Sequence, residues 1–203
     1  MRQASGVILG VMLVLGTVAA AEQAADEKEK SADYYPLKTG MAWFYEVKAD
    51  GQKSKVKSQV AKFETLDGKP VALVEMVVDG MVNSTMHMAT TDKGVFRHRV
   101  NGVELAPPVC VLKYPFKKNE TWETEAIVGS EKLTAKSTAV GSEEVTVPAG
   151  TYNALKATLE TTFNGQQSTF TYWFAPGIGM VKQTIVSDGK TITLELEKYE
   201  PGK

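Results

Sequence analysis

Cysteine and histidine are nearly missing from this chain of 203 residues. Cys110 is its only cysteine, and His87 and His98 are its only histidines. One thiol cannot form an intramolecular disulfide, so we expect packing rather than cross-links to hold the fold together. Cys110 lies in the run Pro-Pro-Val-Cys-Val-Leu with no basic residue beside it to lower its pKa. It is therefore predicted to be a buried, unreactive apolar residue.

The sequence also lacks the motifs of common catalytic sites. It contains no Gly-x-Ser-x-Gly elbow, and acyl transfer would need one of the two histidines beside a nucleophile and an orienting acid. The paired carboxylates Glu143 and Glu144 come just before a predicted strand, where a solvated turn is the simpler interpretation than a glycosidase pair. We therefore expect no enzymatic activity and no cofactor.

An excess of charge of one sign is missing as well. The 23 basic residues are balanced by 24 acidic ones, which gives a formal net charge of −1. Nucleic-acid binding depends on a clustered positive field. We therefore expect no nucleic-acid partner.

Zinc and calcium motifs are missing too, but one short segment contains possible copper ligands. No Cys-x-x-Cys, His-x-x-x-His or acidic calcium loop is present. Met86, His87 and Met88 offer the thioether and imidazole ligands that suit Cu(I). On an extended strand His87 would point away from the two methionines, so one shared ion would require a bulge. A copper site here is an alternative to the interpretation of these methionines as core residues.

The chain has only one long apolar run, and it stands at the N-terminus. Arg2 is followed by an apolar stretch over residues 7–18 and by Ala19-Ala20-Ala21. This pattern predicts a signal peptide over residues 1–21, cleaved near Ala21, and no transmembrane segment in the mature chain. No cysteine stands at the cleavage point, which argues against a lipid anchor. Residues 22–33 are rich in Ala, Glu, Asp and Lys and are predicted to be a disordered linker. We expect an exported protein, either periplasmic or secreted.

Helical periodicity is missing from residue 34 onward. No apolar period of 3.6 residues persists for three turns, whereas a period of two is frequent. Met41, Trp43, Tyr45 and Val47 fall on one face of a predicted strand. Six Asp-Gly or Asn-Gly pairs separate such runs and predict tight hairpin turns, at Asp50-Gly51, Asp67-Gly68, Asp79-Gly80, Asn101-Gly102, Asn164-Gly165 and Asp188-Gly189. We predict a single all-β domain over residues 34–203, an antiparallel meander forming a large curved sheet, half-barrel or barrel.

The chain contains a weak internal repeat. Tyr35-Pro36-Leu37-Lys38 with Trp43 returns as Tyr114-Pro115-Phe116-Lys117 with Trp122, at an offset of 79 residues (114 − 35). Further along, the turn Asp79-Gly80 matches Asn164-Gly165 at an offset of 85 (164 − 79). We predict two fused repeats of about five strands each, the first at about 34–105 and the second at about 113–200.

Aromatic residues are more concentrated than short strands usually need. A barrel with spare interior volume could bind an apolar or lipid-like molecule, although the same residues could simply fill the core. The candidate ligand-binding residues are Trp43, Tyr45, Trp122, Tyr172 and Phe174. We predict a non-enzymatic binding module of the cell envelope, with a lipophilic small molecule as ligand. The alternatives are an envelope scaffold or protein-interaction domain, whose partner would be an envelope protein, and the copper-binding protein.

Three motifs resemble those of a domain-of-unknown-function family of exported bacterial β-rich proteins. They are Tyr-x-Leu-x-x-Gly-x-x-Trp from Tyr35 to Trp43, Val-Pro-Ala-Gly-Thr-Tyr at residues 147–152, and Tyr-Trp-Phe-Ala-Pro-Gly-Ile-Gly at residues 172–179, followed by Val181-Lys182. The resemblance covers most of residues 35–199. It implies a β domain of the cell envelope and supplies no established catalytic residues.

Overall fold

In the computed structural model, which describes residues 33–203, twelve antiparallel β-strands form a closed barrel. The strands are β1 Ala42–Ala49, β2 Gln52–Leu66, β3 Lys69–Val78, β4 Met81–Thr91, β5 Gly94–Val100, β6 Val103–Lys113, β7 Thr121–Val128, β8 Glu131–Val147, β9 Gly150–Phe163, β10 Gln166–Ala175, β11 Gly179–Ser187 and β12 Lys190–Glu200. The predicted signal peptide (1–21) and residues 22–32 of the predicted linker lie outside the described residues.

Each strand pairs with the next one along the chain, and β1 pairs with β12 to close the ring. The all-β antiparallel meander is therefore confirmed, and the closed barrel is the form it takes. Two repeats of about five strands would supply only ten strands. The structure has twelve, so the expected strand number was too low. Pro107 and Pro108, between the two predicted repeats, lie inside β6.

All six predicted Asx-Gly turns are confirmed as tight connections between consecutive strands. Both central residues have positive φ in each of them, for example 51° at Asn164 and 78° at Gly165. Asparagine, aspartate and glycine tolerate this conformation better than other residues, and it matches the twist of the flanking strands. The turns at Asp50-Gly51, Asp79-Gly80, Asn101-Gly102, Asn164-Gly165 and Asp188-Gly189 follow odd-numbered strands and therefore lie at one end of the barrel.

The period of two places alternate side chains inside the barrel. Trp43 and Tyr45 in β1 are 1% and 2% exposed, and Leu194 and Leu196 in β12 are also buried. Side chains at the alternate positions face outward, and Lys48 of β1 forms an ion pair with Glu195 of β12 at 2.6 Å. The barrel interior is therefore the hydrophobic core of the protein.

The segment before β1 lies across the other end of the barrel. The Tyr35 ring stacks on Trp43 of β1 with 5.9 Å between centroids, and the Tyr35 carbonyl accepts a hydrogen bond from Thr90 Oγ1 of β4 at 2.8 Å. The Asp33 carbonyl accepts one from the amide of Gly177, in the turn between β10 and β11, at 2.8 Å. Because β4 and β10 lie on opposite sides of the ring, this segment spans the barrel end.

The contact between β6 and β7 is the least regular seam of the barrel. These strands pair at only two residue positions. Every other pair of neighbouring strands in residues 33–203 has at least six paired positions. Side chains replace part of the ladder: Trp122 Nε1 and Ser137 Oγ both donate to the Cys110 carbonyl, at 2.9 and 3.2 Å. Cys110 itself is buried, as predicted, and burial raises its thiol pKa to about 11.

No helix within residues 33–203 is long and apolar enough to cross a membrane.

Candidate functional site

A cavity of about 380 Å³ lies inside the barrel. Its lining comes from β1 to β6, from β10 to β12 and from Tyr35 in the N-terminal segment. Around β7 to β9, small and aliphatic side chains such as Ala126, Ala139 and Leu159 fill the interior instead. The cavity therefore occupies one side of the barrel. Its volume is within the range of roughly 300–1,000 Å³ that is common for small-molecule sites.

One wall of the cavity is a row of aromatic rings. Phe170, Tyr172 and Phe174 alternate along β10 and therefore share its inner face. Their rings stack at centroid distances of 6.3 and 5.6 Å. Tyr35 meets Phe174 edge-on at 5.9 Å. Such offset and edge-to-face pairs are favourable arrangements of aromatic rings.

The rest of the cavity wall is aliphatic and rich in methionine. Met76, Met86 and Met88 line the cavity from β3 and β4, and Met180 lines it from β11. Methionine has three flexible bonds and a polarizable sulfur, so it can adapt to guests of different shape. The aliphatic part of the lining consists of Val47, Val56, Val95, Val111, Ile185, Ile192 and Leu194.

Two tyrosine hydroxyls in the lining stay protonated at neutral pH. Burial raises the pKa of Tyr35 to about 12, although the nearby Arg97 opposes this shift. Burial also raises the pKa of Tyr45 well above its usual value. The Tyr45 hydroxyl donates to the Met180 carbonyl at 2.8 Å. Both rings therefore add neutral, largely apolar surface to the cavity.

Arg97 is the one charged residue in the cavity lining. Its Nη2 donates to the Tyr172 hydroxyl at 3.3 Å, while its Nε is buried and has no hydrogen-bond partner. Sequence reasoning did not select Arg97. The signal was present in the alternation of Gly-Val-Phe-Arg, which places Arg97 on the same face as the core residue Val95.

The structure brings three of the five predicted ligand-binding residues to the cavity. Tyr45, Tyr172 and Phe174 line it. Trp43 is outside the lining: its ring stacks on Tyr35, and its Nε1 donates to the Ile178 carbonyl at 2.6 Å. Trp122 lies at the seam between β6 and β7, away from the cavity lining.

The three possible copper ligands do not converge. Met86 and Met88 line the cavity, whereas His87 Nε2 lies 2.8 Å from Glu64 Oε2 on the other face of the sheet. Glu64 also pairs with Lys62 at 2.8 Å, and the hydrogen bonds from Lys62 and His87 lower the Glu64 pKa to about 2. Within residues 33–203, no group of three or more His, Cys, Asp or Glu side chains is placed to hold a metal ion.

Three larger depressions differ in character from this cavity. One, of about 490 Å³, is lined mainly by polar and charged residues of β7 to β10, including Glu123, Lys136 and Glu160. Another, of about 630 Å³, lies around Phe44, Lys55 and Lys198. The third, of about 410 Å³, lies around Phe96 and Trp122 and includes four charged residues. Of these four sites, the interior cavity has the most apolar lining and the fewest charges.

The barrel is similar to solved structures of bacterial proteins. No family model and no curated protein matches the chain, so its resemblance to the domain-of-unknown-function family stays a prediction. A predicted lipoprotein from Parabacteroides distasonis matches with a TM-score of 0.54 and 14% identity, over 83% of this chain and 99% of its own. A predicted exported protein with a YmcC-like fold from Bacteroides fragilis matches with a TM-score of 0.51 and 15% identity, over 84% of this chain and all of its own. The chain therefore shares the fold of these two structures.

Proposed function

We propose that this protein is an exported, non-enzymatic binding module of the cell envelope that holds a lipophilic small molecule inside its barrel. The cavity is the observation that carries this proposal. An interior space of about 380 Å³ with a mainly apolar lining is unusual in a protein core, because cores are packed to the density of organic crystals. A guest molecule would restore the dispersion contacts that the lining side chains lack.

The proposed location in the envelope has separate support. The N-terminal sequence has the pattern of a signal peptide, with a short apolar run that ends in Ala19-Ala20-Ala21. The two structurally similar proteins are described as an exported protein and a lipoprotein. The cleavage point near Ala21 is part of the same proposal.

A fluorescence titration with Nile red tests ligand binding. Ile185 and Val186 are neighbours in β11, but Ile185 lines the cavity and Val186 is 42% exposed on the outside. Ile185→Trp should fill the cavity and weaken Nile red binding at least about tenfold, an effect of about 1.4 kcal/mol. Val186→Trp adds the same ring outside the barrel and should leave binding unchanged.

Thermal unfolding of both variants separates loss of the cavity from loss of the fold. The proposal fails if the folded wild-type protein does not bind Nile red, or if Ile185→Trp folds and binds it as well as the wild type does. Native mass spectrometry of protein purified from its own envelope gives an independent test, because a natural ligand should appear as an added mass.

The scaffold alternative is less well supported. Binding of a partner by strand addition requires a free edge, and the β1–β12 pairing leaves every strand of residues 42–200 with a neighbour on both sides. The exposed large apolar side chains of the described residues are spread over β2, β4, β6, β7 and β11. These features favour a guest inside the barrel over a protein on its surface.

An origin by duplication is a further part of the proposal. The strands β1 and β7 both follow a Tyr-Pro segment, and they begin 79 residues apart (121 − 42). The strands β5 and β11 begin 85 residues apart (179 − 94). Both offsets equal those of the sequence repeat, which supports two units of six strands.

A further inference from the structure

The Arg97 guanidinium is partly buried in the cavity wall, and no carboxylate lies within ion-pair distance of it. The cavity lining contains no Asp or Glu. Among residues 33–203, every side-chain ion pair within 4.0 Å involves a cation other than Arg97. Arginine stays charged at any physiological pH, so it cannot avoid the cost of partial desolvation by losing its proton.

This arrangement carries a cost in the empty protein. Arg97 is partly removed from water and has a buried Nε without a hydrogen-bond partner, and desolvating a charge without an ionic partner is unfavourable. The one neutral hydroxyl that Arg97 contacts, on Tyr172, compensates only in part. A guest that brings a negative charge into the cavity would remove the cost, because it would pair with the guanidinium in a low-dielectric environment.

We propose that the natural ligand is a carboxylate-headed amphiphile, with its carboxylate paired to Arg97 and its apolar tail along the aromatic and methionine walls. This inference rests on the proposed ligand-binding function. The planar guanidinium presents five N–H donors in a fork that matches the two oxygens of a carboxylate. The Tyr172 hydroxyl accepts a hydrogen bond from Arg97, so its own proton is free for one of those oxygens.

The rest of the lining fits the tail of such a molecule. Beyond Arg97, the polar side chains are neutral and few: Ser58, Asn83, Gln183 and the three tyrosines. One charged side chain in an otherwise mainly apolar lining selects an amphiphile over a fully apolar guest or a polar metabolite.

Competition against Nile red with dodecanoic acid, dodecanol and dodecyl phosphate tests the headgroup. Wild-type protein at neutral pH should bind the acid at least about tenfold more tightly than the alcohol, as a charge-assisted bidentate pair would provide. Arg97→Gln should abolish this preference and leave dodecanol binding intact. Tyr172→Phe should reduce the preference to a smaller extent.

Arg99→Gln is the matched control. It removes one positive charge from the same strand, but Arg99 lies outside the cavity lining, beside Glu104. The acid preference of this variant should equal that of the wild type. The preference should also disappear when the pH falls below the pKa of the acid, which is about 4 for an ordinary carboxyl, because the protonated acid resembles the alcohol.

The possible outcomes separate this inference from the proposed function. Equal binding of acid and alcohol by the wild type, or an acid preference that survives in folded Arg97→Gln, overturns the carboxylate assignment and leaves lipophilic binding standing. Tighter Arg97-dependent binding of dodecyl phosphate overturns it in favour of a phosphate headgroup. If none of the probes and no Nile red bind to folded protein, the proposed function fails as well.

Discussion

At the residue scale, two glycines with similar backbone angles have different surroundings. Gly179 has φ of +101°, and a Cβ built there would lie 3.3 Å from Trp43 Nε1. That nitrogen donates to the Ile178 carbonyl at 2.6 Å, so the indole cannot move without losing a partly buried hydrogen bond. Gly68 has φ of +73°, with open space where its Cβ would point. Gly179 therefore has a steric reason to be glycine in addition to its conformation.

We expect Gly179→Ala to destabilise the protein by about 2–4 kcal/mol, and Gly68→Ala by about 1 kcal/mol. The first change adds both backbone strain and a clash with Trp43, whereas the second adds strain alone. Urea denaturation followed by tryptophan fluorescence measures both values. Equal losses in the two variants would show that the contact with Trp43 is unimportant.

At the element scale, the ladder between β6 and β7 is weak and is supplemented by side chains. Pro107 and Pro108 cannot donate hydrogen bonds, and the Cys110 carbonyl accepts from Trp122 and Ser137 side chains instead. Amide groups that face this seam are left with few backbone partners. Local opening is easiest where backbone groups lack such partners.

We expect amides facing this seam to exchange with solvent at least about tenfold faster than those between β8 and β9, which pair over almost their whole length. Trp122→Phe removes one donor to the Cys110 carbonyl and should lower the free energy of unfolding by about 1 kcal/mol. It should also accelerate exchange at the seam. Hydrogen exchange followed by mass spectrometry measures this effect.

Trp173→Phe provides the control for that substitution. The Trp173 indole donates to Glu143 Oε1 at 2.6 Å, away from β6 and β7. Its loss should leave exchange at the seam unchanged. Uniform acceleration across the barrel in both variants would contradict a local role for Trp122.

The strands and turns could be predicted from the sequence because nearby residues determine them. An Asx-Gly pair adopts positive φ whatever surrounds it, and alternation such as that from Trp43 to Val47 reflects the pleat of a single strand. Closure of the barrel could not be predicted, because it depends on the pairing of β1 with β12, which are far apart in the sequence. The exclusion of Trp43 and Trp122 from the cavity was hidden for the same reason: hydrogen bonds to distant carbonyls fix both indoles.

Arg97 was missed for a different reason. A charged residue in an alternating strand is ordinarily assigned to the solvent face, and Arg97 lies between Phe96 and His98 in a segment with mixed polarity. Its inward position follows from Val95, two residues earlier, which is fully buried. Inward-facing arginines without an ionic partner are costly enough to be rare, so sequence reasoning gives them little weight.

At the scale of the whole molecule, the barrel depends on its last strand. Deletion of residues 190–203 removes β12 and leaves β1 and β11 with free edges. Free edges and an uncovered apolar interior promote association between chains. We expect the deleted protein to aggregate and to lose Nile red binding, as measured by size-exclusion chromatography and fluorescence.

A circular permutant tests whether the barrel requires β12 itself or requires the chain end at its natural position. Joining residue 203 to residue 33 through a flexible linker and opening the chain between Gly129 and Ser130 keeps all twelve strands and their neighbours. This permutant should be monomeric and should bind Nile red like the wild type. A permutant that aggregates as the deletion variant does would contradict the dependence of the barrel on β12 as a paired strand.

The pairing of β1 with β12 also means that the barrel closes late in synthesis and folding. The first strand to be synthesised cannot gain its second neighbour until the final eleven strand residues, Lys190–Glu200, are available. Contacts between such distant segments form late and slowly, because a long loop must close first. During this interval the chain exposes an open sheet with an apolar face. The chain can therefore associate with other chains until β12 has been made and has paired with β1.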